Sequence, residues 1–521
     1  MLDPFPDLKH ETPGGLIGDS SAPSEDANTN VADGDAPDTN IIDASAPDAP
    51  LTGKLSFVVT ARSNESSSLS GGGPMVSFAP NGDAVMMLGG FEDWTIGSTT
   101  YPAPLDAGKL DYGLVRVDPQ GAVKVARRYD LGLMENAGAC AVDAKGDVWF
   151  AGYRYQQIDE TSPIAPVVGK LDGAGNDVFT APLSATATAS WFLSRSLRIG
   201  KNGELVYLAN FRGTIDWTNA DGSPGTTSSN NPTPIPYTAD DIFIARLDPT
   251  NGRVMWWKTV SSPAFDYGYD IAVDAAGDVY FAAQFEGASL DFPVVTRVGS
   301  RSNALVAKLS GTDGSQIWAH AWGDSVDPPV KGPGESDFAA TKNTVTARAI
   351  DVDEAGHVVV GGNFRGDVDF GGGVKTTAAK PGFFVALLDA KTGDAKWMRE
   401  GRGTTGNGGL VQGVGFDRQG WLVATAISKS TSTGGTGTFA GQSFLTAGSA
   451  SVLGAKLSVA DGSVAWTKTI IASTGNVSAY GVAVAPSGRA VAGIIGHGTV
   501  DLGDGKPVSA SSFASLVGWD P

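Results

Sequence analysis

Four histidines, one cysteine and an aspartate recurring in a similar local pattern are the side chains in this sequence most suited to chemistry. A histidine can act near neutral pH as a general base or a metal ligand, and repeated carboxylates could offer oxygens to Ca²⁺. The surroundings favour neither use. His10 falls in a polar stretch, His357 in a tight turn, and His320 between Trp318 and Trp322 on one face of an alternating strand, where packing is the expected role. His497 alone is expected among loops. The aspartates end the runs Phe211-Arg-Gly-Thr-Ile-Asp216, Phe285-Glu-Gly-Ala-Ser-Leu-Asp291 and Phe364-Arg-Gly-Asp-Val-Asp369, with a variant at Gly496-His-Gly-Thr-Val-Asp501. Each is expected to cap its own turn, because Ca²⁺ needs oxygens converging from one place and these copies lie in separate repeats. Cys140, within Ala137-Gly-Ala-Cys-Ala-Val, reads as a buried strand residue and rules out an intramolecular disulfide. There is no Gly-x-Ser-x-Gly elbow, His-Glu-x-x-His pair or Gly-x-x-x-x-Gly-Lys-Ser/Thr loop. Paired carboxylates for glycoside cleavage stay open, since their separation in space is invisible in a sequence. No catalytic, cofactor-binding or metal-binding residue is assigned.

The elements that would position these groups come from a repeated turn. Asp143-Ala-Lys-Gly-Asp, Asp274-Ala-Ala-Gly-Asp, Asp353-Glu-Ala-Gly-His and four relatives place Gly82, Gly146, Gly203, Gly277, Gly356, Gly420 and Gly488 between apolar runs. A hairpin on a type I turn needs positive φ before its return strand, which glycine adopts at least cost. A second turn follows in each repeat, as in Leu388-Asp-Ala-Lys-Thr-Gly-Asp-Ala-Lys-Trp397, and Trp256, Trp318 and Trp466 occupy the same place in other copies. Two hairpins per repeat predict four antiparallel strands, the blade of a β-propeller. The last copy stops at Trp519-Asp-Pro521, and the missing half matches Leu51-Thr-Gly-Lys-Leu-Ser-Phe57 at the other end. The expectation is an all-β, seven-bladed propeller of four-stranded blades over residues 51–521, its N-terminal strand completing the last blade. Eight blades is the alternative if a degenerate copy hides in one of the two widest intervals.

Composition agrees with many short strands: 70 glycines, 29 prolines and 18% charged residues. The net charge is −19, and residues 1–53, with eleven acidic residues against Lys9, account for just over half of it. Residues 1–50 are expected to be a disordered acidic tail rich in Asp, Ala, Pro and Ser. No basic stripe offsets the acidity, so no nucleic-acid partner is expected. No apolar run is long enough for a transmembrane helix, and Met1-Leu-Asp-Pro-Phe-Pro-Asp does not read as an export signal. In a propeller the two turn families share one face, while the remaining, longer connections share the other. Trp217 to Asp240 and Gly323 to Thr344 fall on that second face, which makes Trp217, Asn230, Tyr237, Asp324, Lys331, Glu335 and His497 the candidate binding residues.

The repeats, read in full at Ala349-Ile-Asp-Val-Asp-Glu-Ala-Gly-His-Val-Val-Val-Gly-Gly-Asn-Phe, resemble those of bacterial surface propellers found in many myxobacterial proteins, from about Leu55 to Trp519. The tail resembles the spacer that follows the lipidated cysteine of surface lipoproteins, without that cysteine. The second hairpin looks like the tryptophan-docking motif of quinoprotein-like propellers, which implies structural roles for Trp256, Trp318, Trp397 and Trp466. These resemblances imply a non-enzymatic, extracytoplasmic repeat protein; with the long one-sided loops, the tail and the absence of catalytic groups, the expectation is a monomeric scaffold without cofactors that binds a protein, glycan or envelope component through its long-loop face. The alternative is a quinoprotein-type dehydrogenase using pyrroloquinoline quinone and calcium.

Overall fold

A computed structural model of the chain describes residues 53–63, 75–90, 93–101, 111–129, 135–155, 164–183, 191–230, 240–298, 302–323, 344–376, 381–402, 408–429, 435–446 and 450–521. The expected tail, residues 1–50, lies outside them. Among the described residues every regular element is a β-strand. The seven turn glycines all take φ between 80° and 87°, a region where a Cβ is strained. At Gly203 that is the whole case for glycine, because a Cβ there would meet nothing within 4 Å.

The strands form an all-β propeller. Its inner strands Met75–Phe78, Glu135–Val142, Trp191–Ile199, Asp266–Val273, Thr346–Val352 and Gly409–Phe416 pack side by side in that order. The second half of the strand Val464–Val484 completes the round against Met75–Phe78. Crowding near the axis demands small residues: a Cβ on Gly138 would come 2.3 Å from the Ser194 carbonyl, and one on Gly413 would come 2.6 Å from the Val482 amide. Apolar faces meet between neighbouring sheets. Tyr280, Trp318 and Trp322 of one sheet, for example, bury against Ile350, Val360 and Phe384 of the next, and each such side chain contributes about 1.5–3 kcal/mol on burial.

The expected ring of seven separate four-stranded blades is corrected by the hydrogen bonding, which gives five separate blades and one continuous nine-stranded sheet. Four of the blades have four strands. The fifth, begun by Thr346–Val352, has six, because the hairpin Gly435–Phe439/Gln442–Thr446 adds to its outer strand through Gly401 and Phe439. The nine-stranded sheet arises because Val464–Val484 runs 21 residues from the outer position of one repeat to the inner position of the next without losing its ladder. A repeat of separate four-stranded blades implies a break there. In the same sheet the two ends of the chain pair: Leu55–Ser63 lies antiparallel to Val508–Trp519, from Leu55 opposite Trp519 to Ser63 opposite Ser512. The turn between them is assembled from both ends, with Asp520 N donating to Lys54 O at 2.7 Å, as Ser458 N donates to Ser463 O in an unbroken copy. Pairing the termini removes an open sheet edge.

The docking tryptophans tie one sheet to the next. Nε1 of Trp256, Trp318 and Trp397 donates to the carbonyls of Gly311, Ala390 and Val459, each at 2.9 Å. Trp466 lies against Gly53, whose Cβ would fall 2.6 Å from the ring, and 6.1 Å from Trp519.

Candidate functional site

The polar groups first considered for chemistry are mostly occupied by structure. Asp369 accepts from Gly371 N and pairs with Lys375, and Asp501 accepts from Gly503 N, so both cap their own turns. Asp274 accepts from the amides of Ala276 and Asp278 while Lys308 bridges Asp274 and Asp278 at 3.1 and 3.0 Å. His320 lies between sheets, its Nε2 2.6 Å from the Thr392 carbonyl, and His357 sits 2.7 Å from Asp353 within its turn. Cys140 is buried, and burial pushes its thiol up to about 12. Among the described residues no group of three or more His, Cys, Asp or Glu is placed to hold a metal ion.

The candidate binding residues scatter. Trp217, expected on a loop, is instead buried: its hairpin Thr214–Thr218/Pro224–Ser228 folds down so that the indole packs 4.7 Å from Trp257 and 5.1 Å from Phe243. Such a ring stabilises the blade and offers no face to a ligand. Asn230 is exposed and donates its backbone amide to Asp241. His497 is half-buried with Nδ1 3.0 Å from the Ser511 carbonyl. Tyr237, Asp324, Lys331 and Glu335 lie outside the described residues.

A different constellation gathers at the axis. Six inner strands carry a bulge, and the extra residues are Gly138, Arg195, Tyr269, Arg348, Gln412 and Tyr480. Each lies eight positions before its turn glycine, as Arg195 does before Gly203 and Arg348 before Gly356. A bulge leaves one residue out of the ladder and re-aims its side chain. Four of these residues meet in sequence across three sheet boundaries. The Arg195 guanidinium lies 5.4 Å from the Tyr269 ring centre, Arg348 lies 4.6 Å from the same ring, and Arg348 donates to Gln412 at 3.2 Å. Tyr269 is held in turn by its hydroxyl 3.0 Å from Gln284.

On the side of the long connections, an aromatic cluster covers this ring. Tyr267 stacks on Phe265 at 5.4 Å and 14°, stands 6.4 Å from Trp191, and packs its other contacts against Tyr269 and Arg195 at 5.0 and 4.8 Å. Tyr153, Trp191 and Phe265 remain partly exposed. The Arg212 guanidinium lies 5.9 Å from the Trp191 ring and pairs with Asp240. On the opposite, tight-turn side the axis opens as a small funnel of about 90 Å³ between Arg198, Asp351, Glu354 and Arg418.

Burial governs the carboxylates around the axis. Asp270 accepts from Ser196 and Arg198 at 2.7 and 2.8 Å and from two backbone amides; burial lifts it to about 6, which leaves it ionised at neutral pH. Asp351 accepts from Phe416 N, and burial outweighs that bond and the pull of Arg198, raising it to about 8. Nearer the aromatic mouth, burial raises Asp266 to about 8 against its bond from Ser262, with Asp241 adding to the rise.

None of these axial residues was singled out by the sequence reading. Two signals were available: the constant offset from the turn glycine, and the run Phe265-Asp-Tyr-Gly-Tyr269.

No protein-family model matches the chain, and no curated protein is similar to it. Solved structures with a similar arrangement include the puromycin hydrolase S511A mutant complexed with PGG, at TM-score 0.42 and 12% identity over 84% of this chain and 52% of that one. They also include the Hadza microbial sialidase Hz136, at 0.37 and 10% over 85% and 64%, and the Neurospora crassa Pan2 WD40 domain, at 0.33 and 12% over 68% and 86%. The chain spans about half the length of the puromycin hydrolase it matches.

Proposed function

We propose that the chain is a non-enzymatic, extracytoplasmic propeller scaffold that binds a glycan through the axial mouth on its long-connection face. The observation that carries this reading is the aromatic cluster at the end of the axis, in which Tyr153, Trp191 and Phe265 stay partly exposed around the buried Tyr267. Aromatic faces fixed by a rigid scaffold suit the apolar C–H faces of sugar rings, and polar groups beside them suit the hydroxyls. Of the protein, glycan and envelope partners open from the sequence, this cluster favours a glycan. The extracytoplasmic placement rests on the resemblance of the repeats.

Titrating the protein with a panel of neutral and acidic oligosaccharides, followed by tryptophan fluorescence, tests the reading. A saturable change that Trp191→Ala abolishes is expected. No saturable change with any sugar, or an equal response from Trp191→Ala, overturns it. Protease treatment of intact cells should remove the protein if it is outside the cytoplasm.

A further inference from the structure

The charged groups around the mouth add a chemical preference to the glycan reading, on which the following inference rests. The partly exposed rings of Tyr153, Trp191 and Phe265 form the outward surface of the cluster, and the buried Tyr267 lies among them. Charges of both signs stand close by, and among the described residues they are buried or already opposed. Arg212, beside the Trp191 ring, is paired with the buried Asp240. Glu286, whose amide donates to the Phe265 carbonyl, is accompanied by Arg297, whose guanidinium donates to the Glu286 carbonyl at 3.3 Å. Beneath the cluster, Arg195 and Arg348 are buried against Tyr267 and Tyr269, and both are engaged by further groups. Arg198 is paired with Asp270 at 2.8 Å. On the acidic side, Asp241 is buried and accepts from Asn230 N and the Ser261 hydroxyl at 2.7 and 2.8 Å. Burial pushes Asp266 up to about 8, so it is largely protonated at neutral pH.

This arrangement suits neither sign of ligand. A sugar carboxylate laid on the rings would lose water without gaining an unengaged cation. A sugar ammonium there would meet Arg212 beside Trp191 and Arg195 behind Tyr267 as well as the carboxylates. An ion stripped of water without a partner is costly, whereas stacking of C–H groups on aromatic faces needs no counter-charge. We infer that the axial mouth takes an uncharged sugar, its ring face laid on Trp191 and Phe265, and discriminates against both acidic and cationic sugars. Specificity of this kind comes from what the wrong ligand loses as much as from what the right one gains.

Calorimetric titration of the wild-type protein with two matched pairs tests this: oligogalacturonate against its methyl ester, and N-acetylated against N-trimethylated chito-oligosaccharides, whose charge is permanent. The chain is acidic overall, so the comparison is made in about 0.5 M NaCl, where long-range attraction and repulsion are screened. The neutral member of whichever pair binds should be about ten-fold tighter than its charged counterpart. Its affinity should change by less than about two-fold between low and high salt. A charged member that binds as tightly as its neutral counterpart, or more tightly, overturns the inference and leaves the glycan reading in place. A neutral affinity that falls several-fold with salt also overturns it. Binding of none of the four sugars, or neutral binding that Trp191→Ala leaves unchanged, overturns both readings.

Discussion

The chemistry of the axis is set by which side chain stands at a bulge. The same backbone position carries glycine in one inner strand, arginine in two, tyrosine in two and glutamine in another. Packing and the identity of the axial side chain are thereby separated: the flanking residues, mostly Ala, Gly and Ser, satisfy the crowding of inner strands, and the bulged residue differs from blade to blade. That division explains why the candidate site was hard to see in the sequence. Arg195 in Leu193-Ser-Arg-Ser-Leu197 breaks no pattern, and a bulge shifts the alternation that would otherwise tell inward from outward residues. The aspartate caps were legible, because Asp-x-Gly and Asp-x-x-Gly carry their own local chemistry. Asp351 gives a prediction at this scale. Its carboxyl titrates near 8 in the fold and near 3.8 when unfolded, so its contribution to stability is fully present below about pH 4. It declines as pH rises toward 8, at about 1.4 kcal/mol per unit. Asp351→Asn, which keeps an acceptor for Phe416 N, should therefore gain a few kcal/mol over wild type at pH 9 and little at pH 5. Urea unfolding at both values checks this, and an equal effect at the two would contradict it.

Elements were read unevenly. The first turns were plain in the sequence because positive φ leaves few choices besides glycine, and the tryptophan turns because a large ring four residues after a glycine recurs. The connections from the second to the third strand were misjudged as open loops. Among the described residues several of them hold short hairpins such as Thr214–Thr218/Pro224–Ser228, whose alternating residues Ile215 and Trp217 bury one face; the polar strand Pro224–Ser228 concealed that pattern. Two of these hairpins also extend a neighbouring sheet: Gly435–Phe439 adds to Ala395–Arg402, and Trp94–Ile96 adds to Leu55–Ser63. The docking tryptophans offer a paired test. Trp397 donates to Val459 O, whereas the Trp466 Nε1 is buried with no hydrogen-bond partner among the described residues. Replacing each by Phe removes similar apolar area, but only Trp397→Phe deprives a carbonyl of its donor. It should cost about 1 kcal/mol more than Trp466→Phe, measured by urea unfolding; an equal or smaller cost would show that the bond contributes nothing.

At the scale of the whole molecule, the all-β propeller and the pairing of Leu55–Ser63 with Val508–Trp519 follow from a repeat whose halves are divided between the chain ends. The separation of blades does not follow, because whether a connection breaks a hydrogen-bond ladder depends on local twist, and Val464–Val484 keeps its ladder across a boundary that the repeat implies. Closing the ring fixes the inner strands side by side and so fixes the aromatic mouth over the two arginines. Hydrogen exchange with and without a bound oligosaccharide tests that geometry most directly, since it reports where on the propeller a ligand settles. Added protection should concentrate in Trp191–Arg195 and Phe265–Tyr269, with none at the funnel lined by Lys201, Glu354 and Arg418. Protection confined to that funnel, or to outer hairpins such as Thr214–Ser228, would contradict an axial mouth on the long-connection face.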